Sequence, residues 1–219
     1  MPPKRKFTKE EIIDAAFRLV REEGEKAMTA REVGKRLGTS SSPIFTVFRD
    51  MNELGDEVRR SAKACFDGYM AIAENYRPAY KMRGIQWIRF ATREPELFKL
   101  LFMRKTNDGN DFDEAMTEIP FGRENDIAII MRDYNADRKT AEHLFRQMWV
   151  YTYGMCVLSA TGVCSFDDRE INQRLGEIFC GMIYVLQSGN GTESGIPVET
   201  SNVTGSVFDT SYPDLSAGK

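Results

Sequence analysis

Residues 29–48, TAREVGKRLGTSSSPIFTVF, restrict the fold more than any other segment, because they hold two short helical patterns separated by a glycine. Val33 and Leu37 lie four residues apart and therefore share one face of the first helix. Gly34, between them, is small where a second helix has to approach closely. Gly38 favours the positive φ of a tight turn. The segment therefore predicts two helices joined by a turn of a few residues.

The second of these helices is predicted to have a buried stripe and a polar leading edge. The stripe consists of Ile44, Val47 and Phe48, and residues 40–42, which precede it, are all serines. Two helices in this arrangement, the second led by short hydrogen-bonding side chains, form the helix-turn-helix that reaches base edges in the DNA major groove. An ordinary helical hairpin is the alternative interpretation of this segment taken alone.

The flanking sequences supply the remaining parts of a three-helix unit. Upstream, a strongly amphipathic helix begins at a capping box formed by Thr8 and Glu11. Thr29 and Glu32 repeat this motif at the start of the next helix. A long helical stretch is predicted over residues 51–76. Together with the upstream helix, it would pack against the two helices of residues 29–48 and hold the recognition helix in place.

The N-terminal pattern resembles the TetR family of bacterial transcription regulators. The similarity rests on the runs IIDAAFRLVREEG, TAREVGKRLGTS and IFTVFRDMNEL, which lie within about the first 55 residues. The resemblance implies an all-α fold of about nine helices, in which a three-helix helix-turn-helix head binds DNA and a helical body senses a ligand and dimerises. We accordingly expect the head at residues 1–54 and the body at residues 55–188. Residues 189–219, rich in Gly, Ser and Thr, are expected to form a flexible C-terminal tail.

Two positions depart from the family pattern, in which Tyr commonly stands at the place of Phe45 and Lys at the place of Met51. In the family both side chains commonly contact DNA phosphates, for which a phenyl ring and a thioether have no suitable group. We therefore expect either weaker phosphate anchoring or compensation by a basic N-terminal arm. The residues expected to form the DNA-binding surface are Lys4, Arg5, Lys6, Thr29, Ser40, Ser41, Ser42, Pro43, Phe45 and Thr46.

The last predicted helix, over residues 167–186, is apolar around much of its circumference and has to be covered on two sides. We predict that it pairs with the preceding helix and their symmetry mates in an isologous homodimer. The alternative is that the stripe fills the core of one chain. The predicted interface residues are Leu175, Ile178, Phe179, Met182, Ile183 and Leu186. A homodimer also suits a palindromic double-stranded DNA operator, because recognition helices about 34–36 Å apart meet successive major grooves.

Aromatic and methionine side chains concentrate in the middle helices of the predicted body. The predicted ligand-pocket residues are Trp87, Phe90, Phe98, Phe102, Met148 and Tyr151. Such a lining suits a planar or apolar small-molecule effector, oriented by Tyr hydroxyls or by Arg89. For each residue taken singly, core packing is the alternative. The run MWVYTYGMCVL is also similar to the Trp-x-x-x-His-Gly signature of one TetR subgroup, with Trp149 and Gly154 matching and Tyr153 in place of the His.

The residue content argues against an enzyme, a cofactor or a metal site. The sequence has one histidine, His143, and four cysteines without a C-x-x-C pair, so it lacks the ligand spacing of structural zinc. It also lacks phosphate-binding and nucleophile motifs. The cysteines are expected to be buried free thiols, with a redox switch through Cys156 or Cys164 as the alternative.

Charge and hydropathy complete the functional interpretation. Residues 1–60 hold 13 Lys+Arg against 11 Asp+Glu and the rest hold 17 against 22, as expected for a DNA-facing head on an acidic body. The N-terminus lacks the apolar core of a signal peptide, and no apolar run approaches the roughly 20 residues needed to cross a bilayer, so we expect a cytoplasmic protein without membrane contact. The combined hypothesis is a DNA-binding transcription regulator, a repressor that a small-molecule effector releases from its operator. The alternative is a helical sensor or interaction protein that keeps the head fold without binding an operator.

Overall fold

The computed structural model describes residues 7–103 and 122–187, and this part of the chain is all-α, without a strand. The predicted fold class is confirmed. Its eight α-helices are α1 Lys9–Glu23, α2 Ala30–Arg36, α3 Met51–Ile72, α4 Ala79–Arg93, α5 Pro95–Phe102, α6 Arg123–Tyr134, α7 Arg138–Ala160 and α8 Asp168–Gln187. Three short 3-10 helices occur at Glu25–Ala27, Ile44–Thr46 and Ala73–Asn75. The predicted basic arm at residues 4–6 and the predicted tail at residues 189–219 lie outside the described residues.

Helix α1 begins and ends where its local chemistry predicts. The Thr8 hydroxyl accepts a hydrogen bond from the Glu11 N–H at 3.2 Å, and the Glu11 carboxylate accepts one from the Thr8 N–H at 3.0 Å. This reciprocal capping box satisfies two backbone donors that the helix itself cannot pair. At the other end Gly24 takes a φ of 86° and donates its N–H to the Val20 carbonyl. The buried face of α1 consists of Ile12, Ala16, Leu19 and Val20.

Helix α3 runs from the head into the body without interruption. Its N-cap is Asp50, whose carboxylate accepts the N–H groups of Asn52 and Glu53 at 2.9 Å each. Its buried side includes a row of residues spaced by four, namely Leu54, Val58, Ala62, Phe66 and Met70. The predicted boundary between residues 54 and 55 falls in the first turn of this helix, so head and body share one continuous element.

Helix α4 is the central element of the body and packs against α3, α5, α6, α7 and α8. It begins after Pro78 and ends at Arg93, with Glu94 as its C-cap. Pro95 then starts α5 at the first helical position, which tolerates a residue without an N–H. Large side chains of α4, including Trp87, Ile88 and Phe90, are fully buried in this arrangement. None of the described helices is both long and apolar enough to cross a membrane.

Candidate nucleic-acid interface

The turn after α2 is closed as the sequence predicts. Gly38 has a φ of 69°, in the left-handed region that favours glycine. The Thr39 N–H donates to the Gly34 carbonyl at 2.9 Å, which ends α2 with the chain folded back on it. A Cβ at Gly34 would stand 2.8 Å from both the carbonyl carbon and the oxygen of Ser40. Close backbone packing at Gly34 therefore fixes where the following segment leaves α2.

The segment after the turn forms less helix than the sequence predicts. Residues 44–46 form a single 3-10 turn rather than an α-helix. Ile44 and Phe48 are fully buried, and the Phe48 N–H donates to the Ile44 carbonyl at 2.9 Å. Val47, which the pattern places in the same buried stripe, is 36% exposed. The prediction is wrong for Val47 because only the two residues spaced by four share the inward side of this turn.

The predicted DNA-contacting side chains lie on the outer side of this turn. Ser40, Ser42, Phe45 and Thr46 are exposed, whereas Ser41 and Pro43 are half-buried. The Ser42 N–H donates to the Ser40 hydroxyl at 3.4 Å, and the Thr46 hydroxyl donates to the Pro43 carbonyl at 2.7 Å. The Phe45 ring is 51% exposed beside these hydroxyls. The segment thus presents small hydrogen-bonding groups next to an apolar ring, a combination suited to base edges and thymine methyl groups.

Thr29, the remaining described residue of the predicted set, is exposed at the start of α2. Its hydroxyl accepts the Glu32 N–H at 3.3 Å and so caps this helix. The structure therefore gives Thr29 a capping role, at the helix end where backbone N–H groups favour negatively charged groups.

Two basic residues that the sequence interpretation missed flank the turn. The Lys35 and Arg49 side chains are 78% and 82% exposed. The Lys35 ammonium lies 3.5 Å from Glu32 and the Arg49 Nε 3.2 Å from Asp50. Such exposed ion pairs contribute little, about 0–1 kcal/mol, so both cations can exchange these partners for phosphates. The sequence signal that could have identified them is their position immediately before and after the turn residues.

Ion pairs hold α2 against α1 within the head. The Arg36 guanidinium donates to Glu22 at 2.6 Å and to Glu23 at 2.7 Å. The hydrogen bond from Arg36 lowers the pKa of Glu22 from its ordinary value. In addition, Arg59 of α3 pairs with Glu25 at 3.1 Å. These contacts fix α2, and with it the turn, relative to the longer helices.

The predicted pocket residues of the body meet in one cluster of aromatic rings. The centroid of Phe102 lies 5.6 Å from that of Trp87, 5.2 Å from that of Phe98 and 6.4 Å from that of Phe90. Met148 is buried and Tyr151 is half-buried. Together these side chains form a continuous apolar interior between α4, α5 and α7.

Polar groups at the edge of this cluster tie helices together. The Tyr153 hydroxyl donates to the Phe102 carbonyl at 2.9 Å, and its ring stacks on Trp149 at 4.9 Å. Tyr153 therefore joins α7 to α5. Arg89, expected to orient a ligand, instead donates two hydrogen bonds to Asp168, at 2.9 and 2.7 Å. It anchors the start of α8 on α4.

A buried ion pair lies between α4 and α6. Asp126 is fully buried and accepts a hydrogen bond from the Arg83 Nε. Its second oxygen, Oδ2, has no hydrogen-bond partner within the described part of the chain. Burial raises the pKa of Asp126 to about 7, because loss of hydration outweighs the opposing effect of Arg83. Burial also raises the pKa of Tyr80, which Asp126 raises further.

Four of the six predicted interface residues face their own chain. Leu175, Phe179, Ile183 and Leu186 are buried in the single chain because α8 covers α4 with this side. The Phe179 ring lies 4.6 Å from that of Tyr134. Ile178 and Met182 are half-buried. The burial of these four side chains fits the alternative of an intrachain core, and the assignment of this stripe to a dimer interface stays a prediction.

The last two helices, α7 and α8, also carry apolar side chains that are exposed to solvent rather than packed in the core. They are Val150 and Leu158 on α7 and Tyr184 and Val185 on α8. A Cβ added at Gly154 or Gly181 would meet no atom within 4 Å. We call these six residues the outer face. Its glycines leave room for close approach of another helix.

The cysteines differ in their surroundings. All four cysteines are free thiols. Cys156 is buried, and Cys65 and Cys180 are half-buried. Cys164 is exposed after the end of α7, so the expectation of burial is wrong for this residue. Burial raises the pKa of Cys156 well above its ordinary value, as is typical of structural rather than redox-active cysteines. The described residues contain no cluster of three or more His, Cys, Asp or Glu placed to hold a metal ion.

These features define a helix-turn-helix head joined by a long helix to an all-helical body. Residues 12–58 match the model of the tetR family of bacterial regulatory proteins. No curated protein sequence matches the chain significantly. The similarity to the Trp-x-x-x-His-Gly subgroup stays a prediction.

Solved structures share the fold over most of the chain. A TetR-like transcriptional regulator from Rhodococcus sp. RHA1 superposes with a TM-score of 0.59 at 11% identity, covering 81% of this chain and 96% of that one. A member of the TetR family from Streptomyces coelicolor A3 gives a TM-score of 0.52 at 16% identity, covering 80% and 98%. At these identities the likeness is one of fold, and it extends through the body.

Proposed function

We propose that the protein is a DNA-binding transcription regulator of the TetR type. The single observation that carries this proposal is that the family-matching segment, residues 12–58, exposes Ser40 and Ser42 directly before a turn that the buried side chains of Ile44 and Phe48 anchor. Side chains held this way reach base edges, while Lys35 and Arg49 beside them contact phosphates. The expected working compartment is the cytoplasm, where the DNA lies.

The proposal includes a homodimer on a palindromic double-stranded operator. The outer face supports it, because four large apolar side chains exposed on two neighbouring helices are costly in water. Pairing α7 and α8 with their symmetry mates buries this surface in a four-helix contact. The head at residues 1–54 then binds DNA and the body at residues 55–188 dimerises.

Control by a small molecule is the third part of the proposal. The aromatic cluster around Trp87 and Phe102 offers apolar surface and polarisable rings to a planar or apolar effector. We propose that the protein is a repressor and that the effector releases it from its operator. No enzymatic reaction is part of this function.

Selection of DNA by the full chain tests the proposal. A duplex library with a random central region is enriched by repeated binding and recovery, and the selected sequences are expected to be palindromic. Ser42→Leu is then expected to lower affinity for the selected duplex at least tenfold, since it blocks approach to the groove. Ala64→Leu, at an exposed site on α3, serves as the control and should bind as the original chain does.

A second candidate function is a helical sensor or interaction protein whose head no longer binds an operator. Phe45 and Met51 favour it, because neither offers the hydroxyl or ammonium group through which the family commonly contacts phosphate. If the folded dimer enriches no sequence from the duplex library, the result favours this second function.

A further inference from the structure

An ion pair connects the head to the junction between two body helices. Arg21 lies in the last turns of α1, and its Nε donates to the Glu94 Oε2 at 2.6 Å. Its Nη2 donates to the other carboxylate oxygen, Oε1. Among the described residues, Arg21 is the only side chain that hydrogen-bonds this carboxylate. The pair is bidentate, the geometry in which Arg restricts orientation most strongly.

Glu94 is part of the rigid framework of the body. Its N–H donates to the Phe90 carbonyl at 2.8 Å at the end of α4, and its carbonyl accepts the Phe98 N–H at 2.9 Å at the start of α5. Its side chain is only 6% exposed, whereas that of Arg21 is 50% exposed. A buried carboxylate that loses its cation is costly. The head therefore resists any movement that separates Arg21 from this site.

A second contact lies one turn further along α1. A Cβ at Gly24, the residue that ends α1, would stand 2.6 Å from the Glu96 carboxylate. The end of α1 is thus seated against the first turn of α5, beside the Arg21–Glu94 pair. The opposite end of α5 is held in the body, because Phe102 packs against Phe66 at 5.0 Å and accepts the Tyr153 hydrogen bond. Helix α5 consequently links the head to the aromatic cluster.

Helix α3 alone does not fix the direction of the head, because a helix of 22 residues can bend along its length. A second attachment off the helix axis removes this freedom. We propose that the Arg21–Glu94 pair is a positioning contact that fixes the direction in which each head leaves the body, and thereby sets the half-site spacing that the dimer accepts in DNA. This inference rests on the proposed function and adds the determinant of its spacing specificity.

The direction of each head determines the distance between the two recognition segments of one dimer. Heads held rigidly by both α3 and the pair match one separation of half-sites and bind other separations much more weakly. When the Arg21–Glu94 pair is broken, the heads can adjust to other separations. They then lose conformational entropy when DNA binding orders them, and this loss lowers the affinity. Breaking the pair therefore weakens binding to the preferred duplex and flattens the dependence of affinity on spacing.

The experiment measures affinity for the selected duplex and for versions with one or two base pairs inserted between the half-sites. The original homodimer is expected to lose about 100-fold in affinity on the longer insertion, and Arg21→Gln and Glu94→Gln only about tenfold. The double variant should match the single variants, since both remove the same contact. Arg18→Gln is the control: it removes the same charge from α1, but its partner Asp14 lies on the same helix.

A measurement without DNA tests the contact itself. Amide hydrogen exchange at Phe98 and in the last turn of α1 is expected to be about tenfold faster in Arg21→Gln and Glu94→Gln than in Arg18→Gln. Circular dichroism establishes that each variant is folded.

The outcomes separate this inference from the proposed function. A folded Arg21→Gln dimer with the original exchange rates and the original spacing profile would overturn the inference and leave the proposed function intact. Failure of the original chain to select any duplex would instead overturn the proposed function, and the spacing claim with it. Altered exchange together with a flattened profile supports both.

Discussion

The carbonyl of Ser40 packs against Gly34 so closely that a Cβ there would lie 2.8 Å from it. Backbone on both sides of this contact leaves no flexible side-chain end to move away. We predict that Gly34→Ala displaces the serine turn, destabilises the head by about 1–3 kcal/mol and lowers DNA affinity. Thermal unfolding and a DNA titration check this. Gly68→Ala, on an open helical site of α3, should instead be neutral or stabilising by up to about 1 kcal/mol.

Removing either flanking cation should change the salt dependence of DNA binding rather than its sequence preference. For Arg49→Gln or Lys35→Gln, we expect the slope of log affinity against log salt to become shallower by about 0.9 for each phosphate that is no longer neutralised. A homodimer carries the substitution in both heads, so the total change is about 1.8. Titrations at several salt concentrations measure it. Lys139→Gln, exposed on α7, provides the comparison, and equal slopes for all three variants would contradict the assignment.

The outer face and the buried side of α8 should respond to mutation in different ways. Leu158→Lys is expected to convert the dimer to a folded monomer, which sedimentation velocity detects. Leu175→Ala is expected to lower the free energy of unfolding by about 2–5 kcal/mol, because it opens a cavity under α4. Val163→Lys replaces another exposed apolar side chain, outside the outer face, and should leave the dimer intact. A dimeric Leu158→Lys would move the interface to another surface.

The buried carboxyl of Asp126 should make stability fall as pH rises. Its pKa is about 7 in the folded chain against an ordinary 3.8, so the folded state binds this proton more tightly than the unfolded state. The corresponding stabilisation is complete below about pH 4 and is lost as pH rises through about 7. Denaturant unfolding between about pH 5 and pH 8 measures the slope. Asp126→Asn should flatten it, whereas Asp67→Asn, an exposed site, should keep it.

Helix boundaries were predictable where their determinants are local. Asp50 and Asp137 each stand just before a helix and accept N–H groups of its first turn, as their type and position indicate. Asp167 and Glu170 form a reciprocal capping box at the start of α8. Such caps require only three or four consecutive residues, so a sequence displays them directly.

The missed features depend on which surfaces meet in three dimensions. Helix α8 carries apolar residues on two sides, and only the fold reveals that Phe179 packs inward while Tyr184 points outward. Ile44 and Phe48 are spaced by four, as in a full helix, but here the hydrogen bond from the Phe48 N–H to the Ile44 carbonyl closes only a single turn. Arg21 and Glu94 are separated by 73 residues, and no local pattern connects them.

The unbroken course of α3 has a mechanical consequence. Its 22 residues make a rod about 33 Å long, at about 1.5 Å per residue. A rotation of about 6° at the body end would therefore carry the first turn of α3 through about 3.4 Å, the axial rise of one base pair. A side-chain rearrangement too small to alter the shape of the body could in this way shift the head by a full step along the double helix.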